Sequence, residues 1–327
     1  MATPSAIPQI PVALNHPEQP PADTGPTDDI LPSKLPTPKF RLEIHDIRHP
    51  ASQLFLRLIP DLASTLDTAL TAIIQNLYTP PTLVTVIASA SRSNTTAGKH
   101  KQAPTFQPYV PPTRSVTIVL RDIGGVAYTT GTDFDNDHKE IHISLSYIDH
   151  CRTKADPLAE IVGVITHELV HCYQYAAPRA TFDGRPDKST PHAPGGLVEG
   201  VADFVRLKAG YEAPHWSRPI SAKERSEKWD SGYQHTAYFL AWLEDVRVGR
   251  GAVGLLNDRL ARVGYSGEDE SRNTTEKHGQ HRDKNGFWKG LFGAEIDELW
   301  DEYGTWLDSP TGNPGAWEDE LVNRIDT

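Results

Sequence analysis

Between residues 61 and 78, Leu62, Leu66, Leu70, Ile73 and Leu77 recur at steps of three and four, the period that gathers apolar side chains on one helical face. The spacing predicts a helix over about 61–78 as the first regular element, ended by Pro80 and Pro81. The period then changes. Thr82–Ala88, Ser115–Leu120 and Ile141–Ser144 read as strands, with a shorter one at Val126–Thr129 and turns at Gly124, Gly125 and Gly131. From Asp156 the pattern is helical again: Asp156 is a favoured N-cap, Pro157 suits the first helical position, and Leu158, Ile161, Val162, Ile165 and Leu169 run towards a stop at Pro178. Further helices are predicted from Gly195-Gly196 to Gly210, over roughly Tyr233–Val248 and over roughly Ala294–Leu307.

Strands followed by helices predict an α+β fold: a small mixed sheet packed on the helix after Asp156, then a mainly helical C-terminal part. Three stretches break the periodicity. Residues 1–38 are proline-rich and poor in aromatics, and are expected to be a disordered tail. Polar, aperiodic segments near 89–113 and 266–286 read as surface insertions in a domain spanning 39–310, with 311–327 as a C-terminal tail.

Composition narrows the partners. The formal net charge is -11, with both signs mixed along the chain. That leaves no basic stripe for nucleic acid or an anionic membrane, and neither partner is expected. No segment is apolar for long enough to span a bilayer. The first residues lack the basic start and apolar run of a secretory signal, so a cytoplasmic location is expected. The sequons at Asn94 and Asn273 then read as chance matches. Cys151 and Cys172, the only two cysteines, are expected to be buried reduced thiols, and the chain is expected to be a monomer.

The candidate chemistry lies in His167-Glu-Leu-Val-His171. Histidines at i and i+4 project from one face of a helix, so both imidazoles can reach a single Zn²⁺, while Glu168 on the flank is placed to act as a base. A catalytic zinc takes a third protein ligand. A histidine at 177 after a glycine at 174 would be one solution, but the chain has Ala177 and Gln174. The next helix offers Glu199 and Asp203 at i and i+4 among Leu197, Val198, Val201, Ala202 and Val205. Two acids in so apolar a helix need partners: Glu199 can ligate, and Asp203 can accept the free N–H of a ligating histidine. Tyr233 and His235, after Gly232, are both candidates for an oxyanion donor. His142 and His192 are expected to be hydrogen-bonded or solvated, and Cys172, about 100° around the helix from the histidine face, to be core.

The runs GVITHELVHCYQY, APGGLVEGVADFVRLKAGY with His215-Trp216, WDSGYQHTAYFLAWLE and FWKGLFGAEIDELWDEY resemble the basic secretory protein family of plants, bacteria and fungi. RSVTIVLRDIGGVAYT and IHISLSYI extend the resemblance over roughly residues 40–310. It implies a zincin-like fold, a peptide or protein substrate and gluzincin-type zinc peptidase chemistry. Carried over by position, it puts one Zn²⁺ on His167, His171 and Glu199, with Glu168 in catalysis. The acidic charge, the absence of a readable signal peptide and the two polar insertions depart from the family's plant members, which are secreted. Two alternatives stay open: a non-catalytic metal-containing binding or stress protein on the same scaffold, and a metal hydrolase acting on something other than peptides.

Overall fold

Charged and apolar residues alternate in Lys39–Ile44 (KFRLEI), a pattern suited to an edge strand with one face on a core. In this computed structural model that segment is strand β1 of a four-stranded sheet. The structure describes residues 36–81, 105–132, 135–179, 192–266 and 285–312, all within the unit Leu31–Thr327. The predicted strand Thr82–Ala88, residues 1–35, 89–104 and 267–284 of the predicted tail and insertions, and 313–327 lie outside the described residues.

The other strands are β2 (Ser115–Arg121), β3 (Ala127–Thr132) and β4 (Asp135–Ser144), in the order β1-β2-β4-β3. β1, β2 and β4 run parallel, and β3 pairs antiparallel with β4 as the second edge. Register places Ile118 beside Ile141 and Leu120 beside Ile143, all buried. Thr129 pairs with Ile141 and Ala127 with Ile143, so both face the same side of the sheet. That side meets the helices.

The helices are α1 (Pro50–Leu58), α2 (Leu62–Leu77), α3 (Leu145–Cys151), α4 (Pro157–His171), α5 (Gly195–Lys208), α6 (Tyr233–Trp242), α7 (Ala252–Val263), α8 (Asn285–Phe292) and α9 (Ile296–Leu307). In the α2 stripe Leu66, Leu70, Ile73 and Leu77 are buried, and Leu62 is partly buried against the core. Asp61 caps α2 through Ser64 N, and Asp156 caps α4 through Ala159 N. In α4, Ile161, Ile165 and Leu169 are core, whereas Leu158, expected to start that stripe, is exposed. No described helix is long and apolar enough to cross a membrane.

Several elements differ from expectation. Among the described residues the first regular elements are β1 and α1, not the helix at 61–78. The cap of α1 is His49, whose Nδ1 accepts from Ala51 N, and histidine is not a usual cap. The helix predicted over 233–248 is α-helical only to Trp242, then widens into a π-helical turn, Leu243–Val248. α7 was not expected, because nothing local caps it: the Glu244 carboxylate in the π turn accepts from Val253 N at 3.1 Å. Residues 105–113, read as part of an insertion, lack regular structure, yet Phe106 and Val110 pack against the core.

Glu244 also gives the fold a pH dependence. Burial pushes its carboxyl up from 4.5 to about 7, against the opposing charge of Lys208. A group with a raised folded pKa contributes stability that is full below the unfolded value and is lost as pH rises through the folded one. The loss therefore runs from about pH 4.5 to about 7 and is on the order of 3 kcal/mol. Glu244→Gln keeps an acceptor for Val253 N and removes the titration. Its melting temperature is expected to change less between pH 5 and pH 8 than that of wild type. Parallel pH curves for the two proteins would refute this.

Candidate metal centre

Helix α4 brings His167 and Glu168 into the interior, each only 7% exposed, and leaves His171 half-buried. α5 packs against α4 and presents Glu199 and Asp203. His167 Nε2 lies 3.1 Å from both His171 Nε2 and Glu199 Oε2, and the third side of the triangle is 3.7 Å. These three side chains could hold a metal ion, since their donor atoms lie within 4.8 Å of one another. Zinc bonded at 2.0–2.1 Å in tetrahedral geometry holds its ligands about 3.3 Å apart, so the observed triangle fits without rearrangement of the helices.

Around the triangle each donor is held from behind. Asp203, 2% exposed, accepts from His167 Nδ1 at 2.6 Å, which directs the ring's Nε2 towards the other donors. Gln174 lies 2.7 Å from His171 Nδ1. Burial opposes charge on His167, but the bonds to Asp203 and Glu199 outweigh it and hold its pKa up at about 9. Burial and the neighbouring His167 charge push His171 down to about 4. In the metal-free chain a proton on His167 thus balances the carboxylates. The bond to His167 leads the causes that hold the Glu199 carboxyl below its usual value.

The Glu168 carboxylate reaches β3. Its Oε2 accepts from Thr129 Oγ1 at 2.7 Å, so an edge-strand hydroxyl fixes one carboxylate oxygen. Burial raises its pKa, with the Thr129 donor opposing. A carboxyl shifted upward beside a set of donors is the usual state of a general base.

Tyr233 stands on the other side. Its ring stacks near that of His167, with centroids 6.1 Å apart and planes at 16°, and it is 56% exposed. Its φ is +46°, the only positive value among described non-glycine residues. A left-handed conformation at such a residue costs about 1–2 kcal/mol. Close packing enforces it: a Cβ at Gly196 would overlap the Asp230 carbonyl, and one at Gly200 would overlap the Thr236 side chain. The two glycines beside Glu199 therefore let the 230–236 segment settle on α5 and deliver Tyr233 over the triangle. The Glu199 charge leads the causes that raise its hydroxyl pKa.

Among the remaining candidates, His235 is half-buried and makes no described contact with the triangle, and His192 is exposed. His142 lies on the far face of the sheet, 3.0 Å from Glu140 Oε2 and stacked on Tyr128. Cys172 and Cys151 are buried and free. Sequence reasoning missed Thr129 and Gln174. Gln174 stands three residues after His171, a spacing that could have suggested contact. Thr129 is 39 residues from Glu168, and nothing local in the sequence marks it.

The fold and the site together define a mixed α+β protein with a candidate metal centre built on two helices beneath a sheet edge. The chain belongs to the BSP family, described as "peptidase of plants and bacteria", whose model matches residues 37–303. No curated protein and no solved structure gives a match.

Proposed function

We propose that the chain is a zinc-dependent peptidase with a zincin-like fold, in which His167, His171 and Glu199 are the metal ligands and Glu168 is the general base. One observation carries the reading: three donors spaced as tetrahedral zinc requires, with an unligated, buried glutamate held beside them by the sheet edge. The family's description supports the peptide substrate.

Zinc in such a set polarises a scissile carbonyl and brings water towards a pKa of about 7. Asp203 keeps His167 in the tautomer that leaves Nε2 free. Glu168, fixed at Oε2 by Thr129, takes the proton of the attacking water on its other oxygen and returns it to the leaving amine. Tyr233 is the candidate donor to the developing oxyanion; stacking beside His167 and a strained backbone held by packing both favour it over His235. Among the described residues β3 is an edge strand, and its outer side can pair with an extended peptide, which would lie beside Glu168 because Thr129 belongs to that strand.

The test is cleavage of a denatured protein or mixed peptide library by purified protein. Activity should vanish with a chelator and return on adding zinc. Cleavage unaffected by complete metal removal would exclude the metal role.

A further inference from the structure

Tyr128 belongs to β3 and faces away from the helices, because strand side chains alternate and its neighbour Thr129 faces them. In the β3–β4 register it lies directly across from His142. The two rings stack, with centroids 4.5 Å apart and planes at 17°. His142 is itself fixed: it is 6% exposed, and its Nε2 lies 3.0 Å from Glu140 Oε2. Tyr128 is 42% exposed.

An aromatic ring has two faces. His142 covers the one turned towards β4, so the other is turned towards the outer side of β3, where no strand lies among the described residues. A strand added there would set one side chain opposite Tyr128, at the Cβ separation of about 4.5–5.5 Å that cross-strand pairs have. An aromatic side chain at that point would be the third member of the row that His142 and Tyr128 begin. Val126 and Thr130, flanking Tyr128 on the same face, are exposed, and Val126 adds apolar surface. On the helix-facing side β3 offers only Ala127, Thr129 and Gly131, which present little surface to grip a substrate.

The distance from this row to the chemistry is set by Thr129, whose hydroxyl lies 2.7 Å from Glu168 Oε2. A residue opposite Tyr128 therefore neighbours the one beside the proposed general base. A peptide is the occupant that the family's description supports.

We propose that Tyr128 is a specificity-determining residue: its outer face receives an aromatic side chain of the peptide substrate close to the cleaved bond, and His142 positions the ring. This rests on the peptidase reading and on pairing of the substrate with β3. An aromatic pair is worth about 2- to 10-fold in affinity.

The experiment is cleavage of a randomised peptide library by wild type, Tyr128→Phe and Tyr128→Thr, with zinc content and melting temperature recorded for each. It is followed by kcat/KM for two peptides that differ only in Phe or Ala at the preferred position. Threonine is chosen because it suits a strand without offering a ring. Wild type is expected to favour Phe, Tyr or Trp at one position close to the cleaved bond. The Phe-to-Ala ratio of kcat/KM should fall about 2- to 10-fold in Tyr128→Thr and stay near the wild-type ratio in Tyr128→Phe. A purely structural role would lower both peptides alike, so an unchanged ratio in Tyr128→Thr overturns the inference. If that variant does not fold, Tyr128→Leu, apolar and of similar bulk, gives the same comparison. A wild-type profile with no aromatic preference near the bond, or with a basic residue preferred there, removes this inference and leaves the peptidase reading standing. A wild type that holds zinc and cleaves nothing removes both.

Discussion

Glu168→Gln is expected to keep its fold and its zinc and to lose about 10²- to 10⁴-fold in peptide turnover, the range for removing a general base. The upper end is expected, because in the proposed mechanism the same carboxyl also delivers the proton to the leaving amine. Retention of the fold follows from geometry. Glutamine is nearly isosteric, and its amide oxygen can accept the Thr129 hydroxyl as Oε2 does now at 2.7 Å. Retention of metal follows because Glu168 lies outside the donor set of His167, His171 and Glu199. Substrate affinity should also survive, since pairing with the β3 edge uses backbone groups. The measurement is cleavage of a mixed peptide library by both proteins, with zinc content checked in each. A fully active variant would remove Glu168 from catalysis. A wild type that holds zinc and cleaves nothing across a broad library would leave a metal-containing binding protein as the better reading.

What the sequence made legible follows from how local each determinant is. The α2 stripe from Leu62 to Leu77 and the capped start of α4 at Asp156 are decided by residues within a few turns of one another, and both stand as expected. The ligand candidates were legible for the same reason: His167 and His171 share one helical face, and Glu199 and Asp203 share another. The elements that escaped notice depend on distant or unusual partners. α7 draws its cap from Glu244, nine residues before Val253 and inside a π turn. α1 uses a histidine cap. The hold of Thr129 on Glu168 exists only because the β3–β4 register turns Thr129 towards the helices. Tyr233 was legible as a residue following a glycine, but its strained conformation depends on Gly196 and Gly200 a full helix away.

Glu199 and Asp203 lie one turn apart on α5, and their substitutions should separate a ligand from its support. Glu199→Ala removes one of three proposed protein donors and is expected to weaken zinc strongly, as is His171→Ala. Asp203→Ala leaves all three donors and should cost nearer 10- to 100-fold in affinity, through a misdirected His167 ring. The metal-free proteins give a second readout. His167 is held at about 9, above its ordinary 6.5, with Asp203 the leading favourable cause against the burial that opposes it. A raised folded pKa contributes stability that is fully present below about 6.5 and is lost as pH rises through about 9. Asp203→Ala should therefore lower the melting temperature of the metal-free protein most at pH 6, with the gap from wild type narrowing towards pH 10. Part of the gap should persist there, because a buried N–H left without a partner costs about 1–3 kcal/mol at any pH. Elemental analysis and chelator competition report the loaded state, and thermal melts after exhaustive chelation report the empty one. Full zinc in both alanine variants would overturn the ligand assignment. If Asp203→Ala loses as much zinc as Glu199→Ala, the two carboxylates exchange roles, with Asp203 on the metal and Glu199 behind it.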